Sequence, residues 1–211
     1  MTGSEILKEV AAEVSVCTRC ELHFSRKLAV PGEGPVNAEL MFIGEGPGFH
    51  ENEQGRPFVG AAGSFLEELL AGIGLRREQV YITNVVKCRP PANRDPQPEE
   101  LQACSEYLER QVQAINPKLI VTLGRFSMAR FLPKAKISEM HGQAVRVHGR
   151  LVVPMYHPAA ALHQPSLRNT VVSDFSKLPE WMAKAGNIPE IHTEAVISED
   201  RIQHSEQLSL F

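Results

Sequence analysis

The sequence lacks any long hydrophobic run. No stretch of its 211 residues approaches the roughly 18 apolar residues that a membrane-spanning helix requires. The first ten residues, MTGSEILKEV, are amphipathic and acidic, without the basic segment followed by an apolar segment that marks a secretory signal. No internal repeat is present. These absences argue against a membrane protein and a repeat array, and we expect a cytoplasmic protein with one compact domain.

The sequence also has no excess of positive charge. Its 22 Lys and Arg residues are outnumbered by 25 Asp and Glu residues, and the net charge is −3. Residues 187–211 contain five acidic residues and one arginine, so the rest of the chain is nearly neutral, at about +1. Bulk charge therefore does not predict binding to nucleic acid, although a local basic face remains compatible with it.

Cysteine is scarce, and its spacing is informative. The four cysteines form a C-x2-C pair, Cys17 and Cys20, and a C-x15-C pair, Cys88 and Cys104, separated by 67 residues. In a reducing compartment such a set favours metal ligands or free thiols over disulfides. Free buried thiols are the simpler alternative, but all four lie in or beside irregular, proline-flanked segments. The pattern predicts a metal site, and spacing alone leaves tetrahedral zinc and a [4Fe–4S] cluster both open.

Short apolar runs alternate with helical patterns along the chain, which predicts an α/β domain with a mostly parallel sheet. The turn at 148–150 predicts a hairpin that leads into the fourth core strand. From residue 186 the sequence becomes polar and acidic, so we predict a domain at 1–185 and a flexible tail at 186–211. The predicted strands are 39–44, 80–86, 118–124 and 151–155, with 144–147 as hairpin partner; the predicted helices are 4–14 with Ser4 as N-cap, 61–73, 98–115, 125–132 and 169–185.

Several chemistry-bearing residues follow the predicted strands. Glu45 lies in a glycine-rich loop, GEGPG at 44–48, which lacks the lysine of a phosphate-binding loop and the dinucleotide spacing. Phe58, in a loop, is a candidate stacking platform or a core residue. Asn84, among valines, must find a hydrogen-bond partner, and His157 is either structural or functional. Because ligands bind at the carboxyl ends of strands in open α/β sheets, Glu45, Asn84 and His157 together predict a ligand site.

Four motifs make the chain recognisable. They are GEGPG at 44–48, GRPFVG at 55–60, TNVVKCRPP at 83–91 and HPAAAL at 157–162. With the four cysteines, they resemble family 4 of the uracil-DNA glycosylases over about residues 15–180. The resemblance implies a three-layer α/β/α sandwich with a central four-stranded parallel sheet, and the four cysteines as ligands of a [4Fe–4S] cluster. It further implies a monomeric DNA-repair enzyme that flips uracil out of single- or double-stranded DNA and hydrolyses its bond to the sugar.

The resemblance also implies roles for individual residues. Phe58 would stack on the flipped base, and Asn84 would hydrogen-bond the uracil edge and so reject cytosine. Glu51 would exclude the methyl group of thymine. His157 would lie by the O2 atom of uracil and stabilise the departing anion.

The glycine-rich loop completes the predicted pocket. Backbone N–H groups around Gly46 and Gly48 would contact the base. Glu45 would orient water or stabilise the cationic sugar, and we predict that it is catalytic together with Asn84 and His157. Gly46 stands where other members of the wider superfamily carry an aspartate, so the resemblance itself does not identify a general base.

Two further segments are predicted to contact DNA. In the loop at 159–168, Leu162 would act as a wedge that fills the vacated base stack, and Arg168 would contact phosphate. Ordinary packing is the alternative for Leu162. Residues 89–94, beside Cys88, would also face phosphate.

The last five residues, QLSLF, resemble the pentapeptide by which bacterial repair and replication proteins bind the sliding clamp. In such a peptide-in-groove interaction, Leu210 and Phe211 would fill apolar pockets, while Gln207 makes polar contacts and Leu208 contributes to the motif. The alternative is a hydrophobic C-terminus that folds back on the domain.

Other functions remain open from the residues alone. The chain could be a glycosylase for another deaminated base, or an iron–sulfur DNA-binding protein of the same fold without glycosylase activity. A zinc-binding structural protein is a third possibility.

Overall fold

Four of the predicted apolar runs form adjacent parallel strands of one sheet. The computed structural model describes residues 1–188 of the chain. The sheet has five strands in the order β2-β1-β3-β5-β4, and only the edge strand β4 is antiparallel. The predicted α/β fold and its four parallel strands are therefore confirmed, with the hairpin strand as a fifth. The strands are β1 (Leu40–Gly44), β2 (Tyr81–Asn84), β3 (Leu119–Leu123), β4 (Val145–Val147) and β5 (Arg150–Met155).

The predicted hairpin joins β4 to β5 through a two-residue turn. His148 and Gly149 both have positive φ, at 48° and 73°. Two successive residues in this region give a tight turn whose twist matches that of the flanking strands. The hairpin thereby sets the register in which Val145 pairs with Val152.

Helices cover both faces of the sheet, because the central strands are apolar on both sides. In β1, Leu40 and Phe42 pack into one core cluster, whereas Met41 and Ile43 pack into the other. This alternation gives the three-layer arrangement. The helices are α1 (Gly3–Val16), α2 (Leu22–Ser25), α3 (Phe49–Gln54), α4 (Ala61–Gly72), α5 (Pro98–Ile115), α6 (Arg125–Ala129), α7 (Ile137–Met140), α8 (Pro158–His163), α9 (Arg168–Ser176) and α10 (Leu178–Ala183).

Two predictions about helix ends are wrong. The N-cap of α1 is Thr2, not Ser4, because Thr2 forms a capping box with Glu5. The helix predicted at 169–185 is divided into α9 and α10 at Lys177. Pro179 causes the division, since proline lacks the N–H that a continuous helix needs and fits only the first turn of a new helix.

None of the helices within residues 1–188 has both the length and the apolar character needed to cross a membrane. The predicted tail begins at residue 186, and its residues from 189 onward lie outside the part of the chain that the structure describes. The predicted clamp-binding residues, Gln207, Leu208, Leu210 and Phe211, therefore also lie outside them.

Candidate active site

The residues predicted from the strand ends meet in one cavity of about 390 Å³ at the carboxyl edge of the sheet. Glu45 follows β1, Asn84 ends β2 and His157 follows β5, while the loop between α3 and α4 brings in Phe58. The predicted convergence is confirmed. The lining residues are Glu45, Gly46, Pro47, Gly48, Glu51, Phe58, Ala62, Asn84, Pro90, Asn93, Arg94, His157, Ala159 and His163.

Phe58 presents an aromatic ring to this cavity in an unusual backbone conformation. Its φ is 51°, and its side chain stacks on the imidazole of His157 with ring centroids 5.4 Å apart and planes 23° apart. A Cβ on Gly63 would lie 1.9 Å from the carbonyl oxygen of Phe58, so only glycine fits there. Phe58 is also part of the hydrophobic core, so the two interpretations of this residue, platform and core anchor, are compatible.

Asn84 offers an unused hydrogen-bond acceptor at the same place. The residue is only 1 % exposed, and its Oδ1 atom has no hydrogen-bond partner among the residues that the structure describes. Because a buried amide oxygen without a partner is costly, the arrangement points to an acceptor that a ligand satisfies.

His157 is held as a neutral imidazole with a defined tautomer. As N-cap of α8, it accepts a hydrogen bond at Nδ1 from the backbone N–H of Ala159, at 3.1 Å. The proton of the neutral ring therefore lies on Nε2. Burial lowers the pKa of His157 to about 4, against a smaller opposing effect of Glu51. At neutral pH the ring is an uncharged hydrogen-bond donor.

Glu51 joins the two loops that frame the cavity. Its Oε1 accepts hydrogen bonds from the N–H groups of Val59 and Gly60, at 2.8 and 2.9 Å, and its Oε2 accepts one from Gly48 at 3.1 Å. A Cβ on Gly48 would lie 2.8 Å from Oε2. The carboxylate thus fixes the backbone of both loops, and the predicted exclusion of thymine remains a prediction.

Glu45 and Gly46 follow β1 and line one side of the cavity. Burial raises the pKa of Glu45; nearby Asp95 raises it further, whereas Arg125 lowers it. At Gly46, a Cβ would lie 2.8 Å from Val86 Cγ2, so the glycine lets the loop pack closely against the segment that follows β2. Glu45 therefore supplies a half-buried carboxyl group beside the cavity.

Arg77, which the sequence motifs do not include, supports Phe58 from behind. The guanidinium donates hydrogen bonds to the carbonyl oxygens of Phe58, at 2.8 Å, and of Pro57, and it pairs with Glu33 at 2.6 Å. Arg77 lies in a short 3₁₀ turn before β2. No signal in the sequence identifies this contact across 19 residues.

Leu162 and Arg168, both predicted to contact DNA, differ in how far they are engaged within the protein. The prediction of a loop at 159–168 is wrong, because most of this segment belongs to α8 and a 3₁₀ turn that begins at Pro165. Leu162 is 42 % exposed on α8, the helix that contributes His163 to the cavity. Arg168 lies over the ring of Phe65, with 4.2 Å from its guanidinium carbon to the ring centroid, and pairs with Glu68 at 2.7 Å. Leu162 is therefore free to contact a ligand at the surface, whereas Arg168 is already engaged within the protein.

Arginines of the segment 89–94 also make contacts within the protein. Arg89 lies over the exposed ring of Phe49 and donates a hydrogen bond to Asn93. Arg94 lines the cavity and binds Glu100 through two hydrogen bonds of 2.9 and 2.6 Å. The segment therefore places one cationic group, that of Arg94, beside the cavity.

The four cysteines line one small cavity of their own. Cys17 and Cys20 follow α1, Cys88 follows β2, and Cys104 lies in α5; Cys88 and Cys104 are buried. Hydrogen bonds from N–H groups stabilise thiolate ligands, and each sulfur has such a donor. The pairs are Arg19 with Cys17, Leu22 with Cys20, Arg26 with Cys88 and Lys87 with Cys104.

Whether the buried cysteine thiols lose their protons depends on metal binding. Burial raises the pKa of Cys20 and Cys88, and it raises that of Cys104 to about 11. These three thiols therefore stay protonated at neutral pH, and their thiolates would form on metal binding. Within residues 1–188, no three His, Cys, Asp or Glu side chains are arranged to hold a single metal ion.

Known proteins resemble this chain over most of its length. Residues 31–180 match the family model of the uracil DNA glycosylase superfamily. The chain is similar to the type-4 uracil-DNA glycosylase of Archaeoglobus fulgidus, with 49 % identity over 190 residues, 85 % of this chain and 95 % of the relative. The type-4 uracil-DNA glycosylase of Thermotoga maritima is 44 % identical over 190 residues, 88 % of this chain and 99 % of the relative. A DNA polymerase of Bacillus phage SP01 is 30 % identical over 148 residues, 70 % of this chain and 16 % of the polymerase.

Proposed function

The chain belongs to the type-4 uracil-DNA glycosylases of the uracil DNA glycosylase superfamily, and we propose that it excises uracil from DNA. The enzyme would extrude the nucleotide, hydrolyse the N-glycosidic bond, and leave free uracil and an abasic site. This proposal rests on one observation: Phe58, Asn84 and His157 line the same cavity.

Base recognition follows from the chemistry of these side chains. The ring of Phe58 would stack on the flat base, and the Asn84 amide would bind its edge. Uracil presents an N3–H donor to the unpaired Oδ1 of Asn84 and an O4 acceptor to its amide NH₂. Cytosine has an acceptor at N3 and a donor at N4, so both interactions would be reversed. The pocket would therefore reject cytosine.

The cavity residues also support the bond cleavage. When the bond between the sugar C1′ and N1 breaks, its electron pair leaves with uracil as an anion. His157 would donate a hydrogen bond from Nε2 to O2 of this anion, an interaction stronger in the transition state than in the ground state. Glu45 would orient a water molecule whose oxygen bonds to C1′ and would accept its proton. The carboxyl of Glu45 is placed for this because it borders the same cavity.

Extrusion of the nucleotide requires contacts outside the pocket. Flipping costs a few kcal/mol of stacking and pairing, which binding to the flanking DNA must offset. Leu162, exposed beside His163, would occupy the vacated stack, and Arg89 and Arg168 would approach phosphates. Arg168 would then exchange its partner Glu68 for a phosphate group.

The cysteine site would hold a [4Fe–4S] cluster. All four cysteines line one cavity, and each sulfur has an N–H donor, as thiolate ligands require. The resemblance of the four motifs to family 4 of the uracil-DNA glycosylases favours the cluster over zinc, which the cysteine spacing leaves open. The cluster would stabilise the loops that carry Cys17, Cys20 and Cys88, next to the base pocket.

The C-terminal pentapeptide would recruit the enzyme to a sliding clamp. Gln207, Leu210 and Phe211 would bind the clamp groove. Deletion of residues 207–211 should abolish clamp association and leave uracil release from a short oligonucleotide unchanged. Loss of release on that substrate would instead assign these residues to the fold of the domain.

Uracil release from an oligonucleotide that contains one deoxyuridine tests the proposed function. We expect Asn84→Ala and His157→Ala to lower the rate by about 100-fold or more, because each removes a transition-state or base-edge interaction. His148→Asn is a matched control, since His148 is exposed in the β4–β5 turn. Oligonucleotides with hypoxanthine or xanthine should release no base. A wild-type protein that binds the uracil oligonucleotide without cleaving it would identify a DNA-binding protein instead.

A further inference from the structure

Lys87 carries a buried amine that lies outside the base pocket. It is 1 % exposed, and its Nζ donates to Thr83 Oγ1 at 2.6 Å, Asn84 O at 2.9 Å and Gln111 Oε1 at 2.6 Å. All three acceptors are neutral oxygens. Among residues 1–188, no carboxylate forms an ion pair with Lys87. Burial lowers the pKa of Lys87 to about 7, against a smaller opposing effect of Cys104, so ordinary packing does not account for an amine at this position.

The main chain of Lys87 contacts the cysteine site. Its N–H donates to Cys104, its carbonyl accepts from Val30 at 2.7 Å, and the next residue is Cys88. Lys87 is also one of the residues that line the cavity shared by the four cysteines. The backbone of Lys87 therefore contacts Cys104 and adjoins Cys88. Its side-chain amine contacts Asn84 at the end of β2.

The network around the ammonium is rigid because its members are bonded on both sides. Gln111 donates from Nε2 to Pro31 O at 2.7 Å and to the Tyr81 hydroxyl at 3.1 Å. Thr83 donates to the same Pro31 carbonyl at 2.9 Å. The amide of Asn84 thus extends from a backbone that Lys87 holds against α5.

We propose that Lys87 is a positioning residue that couples the cysteine site to the base-reading end of β2. Its amine fixes the carbonyl of Asn84, and its protonated form would offset the negative charge of a thiolate-bound cluster. The inference rests on the proposed function, because it concerns how Asn84 is held for base recognition.

The test compares Lys87→Met, which keeps the length of the side chain and removes its charge and donors, with Lys118→Met. Lys118 is exposed immediately before β3, at the opposite end of the strands from the cavity, and pairs with Glu39. For Lys87→Met we expect iron content close to that of the wild type and a kcat for uracil release lower by about 10- to 100-fold, with KM changed much less. Lys118→Met should match the wild type.

A second measurement separates positioning from general stability. Loss of a positive charge beside the cluster disfavours the reduced form, so the midpoint potential of Lys87→Met should become more negative. Gln111→Glu is a second variant in case Lys87→Met does not fold. It keeps the lysine and places a carboxylate beside Nζ that offsets the positive charge of Lys87. It should shift the potential in the same direction. Unchanged kcat and potential in the folded variants would overturn the proposal; a wild type and Lys118→Met that both fail to release uracil would instead overturn the proposed function.

Discussion

A Cβ atom placed on Gly44 would lie 2.4 Å from Oδ1 of Asn84, far inside van der Waals contact. The same Cβ would lie 2.7 Å from Cζ of Phe58. Gly44 ends β1 and pairs in register with Asn84 at the end of β2. The missing side chain at this position is therefore what lets the amide and the aromatic ring approach each other at the base of the cavity.

Gly44→Ala should displace Asn84 or Phe58 and lower uracil release by about 100-fold, while overpacking costs about 1–3 kcal/mol of unfolding free energy. Gly72→Ala is the control, because a Cβ on Gly72 meets nothing within 4 Å at the end of α4. It should leave activity unchanged and stabilise the helix slightly. Release rates and urea unfolding of both variants check this, and a fully active Gly44→Ala would contradict the described contact.

Replacement of Glu51 should weaken the connection between the two loops that frame the cavity. Glu51→Gln keeps an oxygen for Val59 and Gly60 but offers an NH₂ group to the N–H of Gly48, so we expect kcat to fall by about 10-fold. Glu53→Gln, which removes only a surface pair with Lys27, should match the wild type. A thymine oligonucleotide assayed in parallel tests the predicted exclusion of thymine by Glu51. Wild-type kinetics for Glu51→Gln would show that the three hydrogen bonds are dispensable.

The depressed pKa of His157 makes a prediction about acid stability. Its pKa is about 4 in the folded protein and ordinarily 6.5, so the unfolded chain binds the proton more readily between these values. The contribution of neutral His157 is complete above pH 6.5 and is lost as the pH falls through about 4. The wild type should therefore lose about 1–3 kcal/mol more unfolding free energy than His157→Asn between pH 7 and pH 4. Equal losses in urea titrations of the two proteins would show that His157 is not buried as described.

The cysteine site predicts a brown protein with about four irons per chain when it is purified without oxygen. Cys104→Ser should lose the visible absorbance and most of the iron, because a buried hydroxyl replaces a ligand that burial already makes hard to ionise. Ser105→Ala, at a half-buried position of the same helix where the hydroxyl donates to the carbonyl of Gln102 in the preceding turn, is the control. One zinc per chain in place of iron would overturn the cluster.

The sequence predicts the sheet and the position of the pocket well, for physical reasons. β1 and β3 are apolar on both faces, which identifies central strands, and strand ends in such sheets gather functional side chains. That rule alone predicts that Glu45, Asn84 and His157 lie together. The Thr2–Glu5 capping box and the break at Pro179 also have sequence signals, T-x-x-E and an internal proline, which the prediction of those helices overlooked.

Other features have no local signal. Arg77 supports Phe58 from 19 residues away, and Lys87 meets Gln111 from 24 residues away. Such contacts depend on how helices and loops pack against the sheet, which periodicity does not encode. The left-handed conformation of Phe58 is likewise fixed by its surroundings, since a non-glycine residue rarely adopts it by preference.

A crystal structure of the protein with uracil bound would show directly how the cavity holds the base. We expect one uracil in the cavity of about 390 Å³, stacked on Phe58, with N3 within hydrogen-bond distance of Asn84 Oδ1 and O2 facing His157 Nε2. Uracil bound elsewhere, or bound in this cavity with its N3 edge turned away from Asn84, would contradict this expectation.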